Sequence, residues 1–178
     1  TSAINGRWVK SPGRELLTLV RTHCPQLRLV AENLGIISPE VEALRKEFDL
    51  PGMLILQFAF DGNPDNPYLL DKHEEKEVVY TGTHDNNTSL GWFLSLDEQT
   101  RQRVCEYFEC APSDMPWAMV ERAMASPATT AIVPWQDLLG LDGNHRMNTP
   151  GTTQGNWHWR FNLTQGTEDL APRTLAMV

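Results

Sequence analysis

The chain has 178 residues, of which 40% are hydrophobic and 21% are charged, and its net charge at pH 7 is −8. This composition predicts a folded core and excludes a wholly disordered chain. The acidic balance disfavours nucleic acid or an anionic membrane as a partner, and no apolar run reaches the roughly 20 residues that span a bilayer.

The predicted elements alternate between amphipathic helices and short apolar strands. We predict helices over 13–23, from Ser38 to about Phe48, from residue 87 or 88 onward, over 97–108 and over 116–125. We predict strands over 27–31, 53–60, 77–83 and 131–135, with loops over 61–75 and 141–160. This order implies an α/β fold of parallel β/α units. A doubly wound sheet or part of a (β/α)8 barrel satisfies it, and a barrel takes about 250 residues, so this chain would supply only part of one.

Cysteine usage and the first residues bear on the compartment. Cys24, Cys105 and Cys110 form no Cys-x-x-Cys pair and have no histidine at zinc-finger spacing. We therefore expect no disulfide framework and no structural zinc site, and we favour a reducing compartment. The residues from Thr1 to Arg7 include no Met and lack the charged-then-apolar order of a signal peptide, so the chain is interpreted as the interior of a longer protein.

Polar side chains directly follow two of the predicted strands. Glu32 follows the strand over 27–31, and His84 and Asp85 follow the strand over 77–83. In parallel α/β folds the active site forms at the carboxyl ends of the strands. Two carboxyl groups at one such edge suit the cleavage of a sugar bond, in which one acts as an acid while the other stays ionised.

Less specific interpretations of these residues stay open. Either acid could be a helix cap or a surface loop residue, and His84 could be a core histidine bonded to a backbone carbonyl. A metal site formed by Glu32, His84 and Asp85 is disfavoured, because no second histidine stands at ligand spacing.

Tryptophans are a further clue, since sugar rings stack on aromatic faces. The six are Trp8, Trp92, Trp117, Trp135, Trp157 and Trp159. We expect Trp92, on a predicted helix, to pack in the core. Trp157 and Trp159 alternate and would share one face of an extended segment, where core packing and a sugar platform are both open.

Several segments together resemble one family. They are AENLGIISPEVEALR at 31–45, LPGMLILQFAF at 50–60 and VYTGTHDNNT at 79–88, with shorter matches at 5–10, 146–152 and 155–160. In this order they resemble the amylomaltase or disproportionating-enzyme family of 4-alpha-glucanotransferases, glycoside hydrolase family 77. The resemblance covers nearly the whole chain.

The resemblance implies a fold and an activity. The fold would be a (β/α)8 barrel, with residues 1–178 forming part of one catalytic domain, roughly its C-terminal half. The activity would be transfer of α-1,4-glucan segments to the 4-hydroxyl of an acceptor glucan, by a retaining mechanism with a glucosyl-enzyme intermediate. The implied partners are maltooligosaccharides, with no cofactor and no metal, in a cytoplasm or a plastid stroma.

The resemblance also assigns roles to five residues. Glu32 matches the general acid/base, and Asp85 matches the carboxylate that stabilises the transition state. His84 matches a sugar ligand, Phe58 a residue lining the same subsite, and Asn148 lies in a loop expected to reach the donor sugar.

This sequence departs from the family pattern in three respects. Asn33 and Asn87 stand where the family usually has Asp, which removes negative charge beside Glu32 and Asp85. The family's nucleophilic Asp belongs to a strand upstream of Thr1, so we expect the isolated chain to be inactive, with an unpaired first strand. Two other functions stay open: a hydrolase that acts on the same glucans, and a non-catalytic glucan-binding fragment.

Overall fold

The computed structural model describes residues 3–7, 9–162 and 170–177, and Trp8 in the 5–10 motif lies outside them. The chain divides into two compact units, Thr1–Pro51 and Gly52–Val178. We refer to them as the first unit and the second unit. The prediction that residues 1–178 form one barrel domain stays a prediction.

The described part of the first unit contains two α-helices. A 3-10 turn over Ala3–Asn5 precedes helix α1, Gly13–His23, and helix α2 covers Pro39–Glu47. Both helices confirm the predicted ranges, and α2 begins with Pro at its first position after Ser38, as the sequence predicts. Within the unit, the buried Arg45 at the end of α2 donates hydrogen bonds to the carboxylate of Glu42 and to the carbonyl of Leu50, which closes the turn after the helix.

The prediction of a strand over 27–31 is wrong. Residues 27–34 adopt neither a helix nor a strand, and Leu27 and Val30 are exposed. A β-strand exists through a ladder of hydrogen bonds to a neighbouring strand, and no other strand occurs among the residues described in the first unit. The backbone N–H of Ala31 donates to the carbonyl of Pro51 at 2.8 Å, which tethers this segment without forming a ladder.

The second unit contains a parallel sheet of three strands. They are β1, Gly52–Ile55; β2, Glu77–Tyr80; and β3, Thr130–Ile132, in the order β1-β2-β3. This confirms an α/β fold with a parallel sheet. The strands are shorter than predicted, because the chain turns into a 3-10 helix over Leu56–Phe58 after β1 and into a helix at Trp135 after β3.

Two of the helices described in the second unit begin at side-chain caps. The described helices are α3, Ser89–Ser95; α4, Glu98–Phe108; α5, Trp117–Met124; α6, Trp135–Leu138; and α7, Leu170–Leu175, with 3-10 turns over Leu70–Lys72, Pro112–Asp114 and Gly143–His145. The hydroxyl of Thr88 accepts from the N–H of Gly91, and the carboxylate of Asp97 accepts from the N–H of Thr100, so α3 and α4 have side-chain N-caps. No helix of the described ranges is both long and apolar enough to cross a bilayer.

The core of the second unit packs helices α3 to α5 against β1 and β2. Its buried members are Leu54, Leu56, Val79, Phe93, Val104, Phe108, Met115, Ala118, Met119 and Ala123. Partly buried Trp92 packs against this cluster, with its ring 5.7 Å from that of Phe60, as predicted. Because β1 and β2 are parallel and Ile55 pairs with Tyr80, the segments that leave their carboxyl ends emerge at the same edge of the sheet.

Candidate functional site

A tight turn after β2 carries the first two candidate residues. The N–H and the hydroxyl of Thr83 both donate to the Asn86 side-chain oxygen at 2.8 Å, and the N–H of Asn86 donates back to the Thr83 carbonyl at 3.1 Å. His84 and Asp85 lie at the tip of this turn, with side chains 56% and 51% exposed. Their Nε2 and Oδ1 atoms are 3.4 Å apart. The turn therefore presents an imidazole and a carboxylate side by side to solvent.

The distant Asn148 joins this pair. Its Nδ2 donates to Asp85 Oδ1 at 2.6 Å, and Arg146 donates to the backbone carbonyls of Asp85 at 2.9 Å and of Asn148 at 3.1 Å. Arg146 thus connects the two segments through their backbones, while Asn148 contacts the carboxylate directly. Three of the five residues singled out from the sequence, His84, Asp85 and Asn148, come together in the structure. We call them the polar cluster.

A stabilised loop over 147–157 extends this cluster. The N–H of Trp157 donates to the Met147 carbonyl at 2.7 Å. Within the loop, the Asn156 side chain accepts from the N–H of Thr149 at 2.9 Å and donates to the carbonyl of Thr152 at 3.1 Å. A cavity of about 600 Å³ is lined by Asn148 and by residues 152–158, a volume within the usual range for small-ligand sites.

An aromatic side chain borders the polar cluster. The ring centroids of Trp157 and His84 are 5.2 Å apart, with the ring planes tilted by 39°. Trp157 also lines the cavity beside Asn148 and is 54% exposed. Trp159, in contrast, is partly buried and stacks on Phe161 with ring centroids 6.0 Å apart. The two tryptophans that the sequence pattern groups together therefore have different surroundings.

A buried carboxyl group forms hydrogen bonds with residues on both sides of this turn in the sequence. Asp137 in α6 is fully buried and accepts hydrogen bonds from the hydroxyl of Thr81 at 2.6 Å and from both the N–H and the hydroxyl of Ser89 at 2.7 Å. Burial raises the pKa of Asp137, and the bonds from Thr81 and Ser89 oppose that shift. Asp137 was not predicted from the sequence, since its partners lie 48 and 56 positions away and the local sequence gives no sign of them.

Asn87, one of the two departures from the family pattern, is packed closely behind the turn. Its Oδ1 is buried and has no hydrogen-bond partner among the residues that the structure describes. A Cβ atom built on Gly91 would lie 2.5 Å from this oxygen, and one built on Gly143 would lie 2.9 Å from it. The backbone carbonyl of Asn87 accepts a bond from Gln57 at 2.9 Å, so the segments after β1 and β2 are joined here.

Phe58 lies on the 3-10 turn after β1, at the sheet edge from which the His84 turn also emerges. Its ring is 40% exposed and meets Tyr68 edge to face, with centroids 5.5 Å apart. The carbonyl of Phe58 accepts a bond from Asn66 at 2.8 Å, which fixes the loop over 61–75 to this turn. A role for Phe58 in lining a sugar subsite stays a prediction.

Glu32 belongs to the first unit. It is exposed and lies in the irregular segment that follows Ala31, three residues before Gly35, whose φ is +88°. Its role as acid/base and its partnership with Asp85 stay predictions. Among the residues described in either unit, no group of three or more His, Cys, Asp or Glu side chains is arranged to hold a metal ion.

Comparison with known proteins agrees with the resemblance found in the sequence. A family model described as 4-alpha-glucanotransferase matches residues 1–164. The chloroplastic/amyloplastic 4-alpha-glucanotransferase of Arabidopsis thaliana is 43% identical over 169 residues, which are 94% of this chain and 29% of that protein. The 4-alpha-glucanotransferase of a Synechocystis species is 46% identical over 167 residues, 92% of this chain and 33% of that protein. The chain thus spans about a third of the length of these relatives.

A solved structure is similar across almost the whole chain. Amylomaltase from Streptococcus agalactiae, in complex with acarbose, matches with a TM-score of 0.92 and 31% sequence identity. The match covers 99% of this chain and 36% of the amylomaltase chain.

Proposed function

This chain belongs to the 4-alpha-glucanotransferase family, and we propose that it is part of an enzyme that transfers α-1,4-glucan segments to the 4-hydroxyl of an acceptor glucan. The family match over residues 1–164 carries this proposal. The relatives bear the name 4-alpha-glucanotransferase at 43% and 46% identity, which supports the same activity here. The chloroplastic/amyloplastic name of the Arabidopsis relative supports a plastid stroma as one compartment, and a cytoplasm is the other.

We propose that the fold of the complete enzyme is a (β/α)8 barrel and that this chain forms roughly its C-terminal half. The parallel order β1-β2-β3 is the arrangement that a barrel segment requires. In such barrels the active site lies at the carboxyl ends of the strands. The position of the polar cluster after β2 is consistent with that rule.

The polar cluster supports a role in binding the sugar at the cleaved bond. Maltooligosaccharides are the substrates that we propose, and acarbose, bound by the Streptococcus agalactiae amylomaltase, is a suitable ligand for testing the site. The Asp85 carboxylate would stabilise the positive charge that develops on the sugar ring as the glycosidic bond breaks. His84 and Asn148 would hold ring hydroxyls and keep Asp85 oriented, since Asn148 already donates to its Oδ1 at 2.6 Å.

Glu32 would act as the general acid and then as the general base. It would protonate the departing glycosidic oxygen, and it would later take the proton from the incoming 4-hydroxyl. A retaining mechanism also needs a carboxylate nucleophile that forms the glucosyl-enzyme bond. In this family it belongs to a strand that precedes the Glu32 segment, so we propose that residues before Thr1 contribute it.

The activity can be tested with maltotriose and the complete polypeptide, with its products separated by chain length over time. Transfer yields oligosaccharides longer than maltotriose, hydrolysis yields only shorter sugars, and a binding protein yields no products. We expect transfer, and we expect Glu32→Gln to lower kcat by about 10²- to 10⁴-fold, the usual contribution of general acid–base catalysis. Products that are only shorter than maltotriose would overturn the transferase assignment.

Two controls accompany this assay. Glu74→Gln makes the same chemical change at an exposed position in the loop over 61–75 and should leave kcat unchanged. The 178-residue chain by itself should form no longer oligosaccharides, because it lacks the proposed nucleophile. Disproportionation of maltotriose by that chain would refute the assignment of the nucleophile to preceding residues.

A further inference from the structure

The backbone of Trp157 adopts a conformation that bulky residues avoid. Its φ is +65°, in the left-handed region, where a β-carbon crowds the neighbouring carbonyl oxygen. Asp49 and Glu109 also have positive φ, but each lies within two residues of the end of a helix, where this conformation is common. Trp157 lies in the loop over 147–157 and ends no helix. Its strain therefore needs another explanation, and such strain concentrates at functional sites.

Burial of the side chain does not supply that explanation. The Trp157 indole is 54% exposed, so a large apolar surface faces solvent in addition to the backbone strain. Trp159, two residues later, is partly buried and stacked on Phe161. Packing on Phe161 accounts for the placement of Trp159, whereas the Trp157 indole stays half-exposed within this chain.

The loop nevertheless holds Trp157 in this position. Its N–H donates to the Met147 carbonyl at 2.7 Å, and the preceding Asn156 bonds to both Thr149 and Thr152. Gly155, with φ at +78°, provides the turn that brings the chain back toward Met147. The conformation is thus fixed by the loop on both sides of the residue.

The exposed indole lies beside the polar cluster. Its ring centroid is 5.2 Å from that of His84, and it lines the same cavity of about 600 Å³ as Asn148. A glucose ring has an apolar face of C–H groups and a rim of hydroxyls. An aromatic face next to hydrogen-bonding side chains therefore suits a sugar ring, and Trp157 together with the polar cluster provides this combination.

We infer that Trp157 is a sugar-binding residue, whose indole is the platform on which one glucose ring of a bound glucan stacks beside His84 and Asn148. This inference rests on the proposed function, since it takes the ligand to be an α-1,4-glucan. The indole lies 5.2 Å from the His84 ring, so the platform and a hydroxyl-binding group are already adjacent without the sugar. Displacement of water from the indole face would contribute to the affinity.

The test separates a binding role from a packing role by measuring affinity and stability together. Maltoheptaose is titrated into the complete polypeptide, and the indole N–H resonances are followed by NMR. The Trp157 signal is assigned as the one missing in Trp157→Phe. We expect this signal to shift on titration. We expect Trp157→Gly to raise Kd at least tenfold, while its Tm stays within about 2 °C of wild type or rises, because glycine relieves the positive φ. The affinity of Trp157→Phe for maltoheptaose should lie between those of wild type and Trp157→Gly.

Trp159→Phe is the matched control, and it should keep the wild-type Kd. An unchanged Kd for Trp157→Gly would overturn the inference and leave the proposed function standing. A Tm lowered by more than about 5 °C in Trp157→Gly would also overturn it, since it would indicate a packing role. A complete wild-type polypeptide that binds no maltoheptaose would contradict the proposed glucan site itself.

Discussion

At the scale of single residues, the bond between Asn148 and Asp85 joins two side chains 63 positions apart. Hydrogen bonds to a charged acceptor are stronger than neutral ones, although partial exposure to water weakens this one. If Asp85 stabilises the transition state, then losing Asn148 should let the carboxylate turn away from the sugar. We expect Asn148→Ala to lower kcat/KM of the complete polypeptide toward maltotriose by about tenfold.

Asn144→Ala is the control for this prediction. Asn144 donates to Asp142 at 3.1 Å, so this variant breaks another exposed bond between an asparagine and an aspartate, outside the polar cluster. It should leave kcat/KM unchanged. Equal rates for Asn148→Ala and wild type would show that the 2.6 Å contact does not orient Asp85 during the reaction.

His73 is buried in the second unit, in its neutral form. Its Nε2 lies 3.1 Å from the Tyr68 carbonyl, which can only accept, so the proton is on Nε2 and Nδ1 accepts from the Ser126 hydroxyl at 2.8 Å. Burial lowers the pKa of His73 below its ordinary value of 6.5, against the opposing influences of the Tyr68 carbonyl and of Asp71. The residue connects the loop over 61–75 to the segment after α5.

This lowered pKa predicts how stability depends on pH. As pH falls below 6.5, the unfolded chain binds a proton at His73 before the folded chain does, so the free energy of unfolding decreases until the pH is below the folded pKa as well. The contribution is complete above pH 6.5. We expect His73→Gln to flatten this part of the pH profile in urea unfolding measured from pH 7.5 to 5. His23→Gln, at an exposed position in α1, should leave the slope as in wild type.

At the scale of elements, Asp137 ties three parts of the second unit together. Its carboxylate in α6 accepts from Thr81 after β2 and from Ser89 at the start of α3. Asp137→Ala would leave these buried donors without an acceptor, and each unpaired buried donor costs about 1 to 3 kcal/mol. Because burying the charge is itself unfavourable, we expect a net loss of about 3 kcal/mol in the free energy of unfolding, measured in urea.

The comparison variant is Asp65→Ala, at an exposed position in the loop over 61–75. It should change the free energy of unfolding by less than about 0.5 kcal/mol. If Asp137→Ala unfolds at the same urea concentration as Asp65→Ala, then the three bonds contribute nothing net to the second unit.

Helix starts could be predicted from the sequence because their causes are local. Ser38, Thr88 and Asp97 each precede a helix by one position, and the propensity of such residues for N-caps is independent of the rest of the fold. Strands were less predictable, since pairing depends on a distant partner. The apolar run over 53–60 forms a strand only to Ile55, where its pairing with Tyr80 ends, and the segment over 27–31 pairs with no strand among the described residues.

The site was predictable in part for the same reason. His84 and Asp85 could be found locally, because they follow the predicted strand over 77–83. Asn148 came only from the resemblance to a family, and the bond that brings it to Asp85 follows no local rule. The sequence leaves the roles of Trp157 and Trp159 open, because alternation indicates a shared face only in an extended segment. The positive φ of Trp157 shows that the segment is not extended at that residue.

At the scale of the whole molecule, the proposed chemistry needs two carboxyl groups that stand 53 positions apart in the sequence, Glu32 and Asp85. In the roles proposed for them, both groups act on the same glycosidic bond as it breaks. Residues that act together in one transition state give strongly non-additive losses, because once one is removed the other has little left to stabilise. Non-additive losses therefore distinguish two groups that act on one bond from two groups that act independently.

We therefore expect a double-mutant cycle of Glu32→Gln and Asp85→Asn to be non-additive. Each single variant of the complete polypeptide should lose about 10²- to 10³-fold in kcat/KM for transfer from maltotriose. The kcat/KM of the double variant should be close to that of the less active single variant. The loss should be much smaller than the product of the two single losses. As a reference pair, Glu74→Gln combined with Asp85→Asn should be additive, because Glu74 takes no part in the reaction. If the Glu32–Asp85 cycle is additive as well, then the two carboxyl groups do not serve one bond, and the roles proposed for them are wrong.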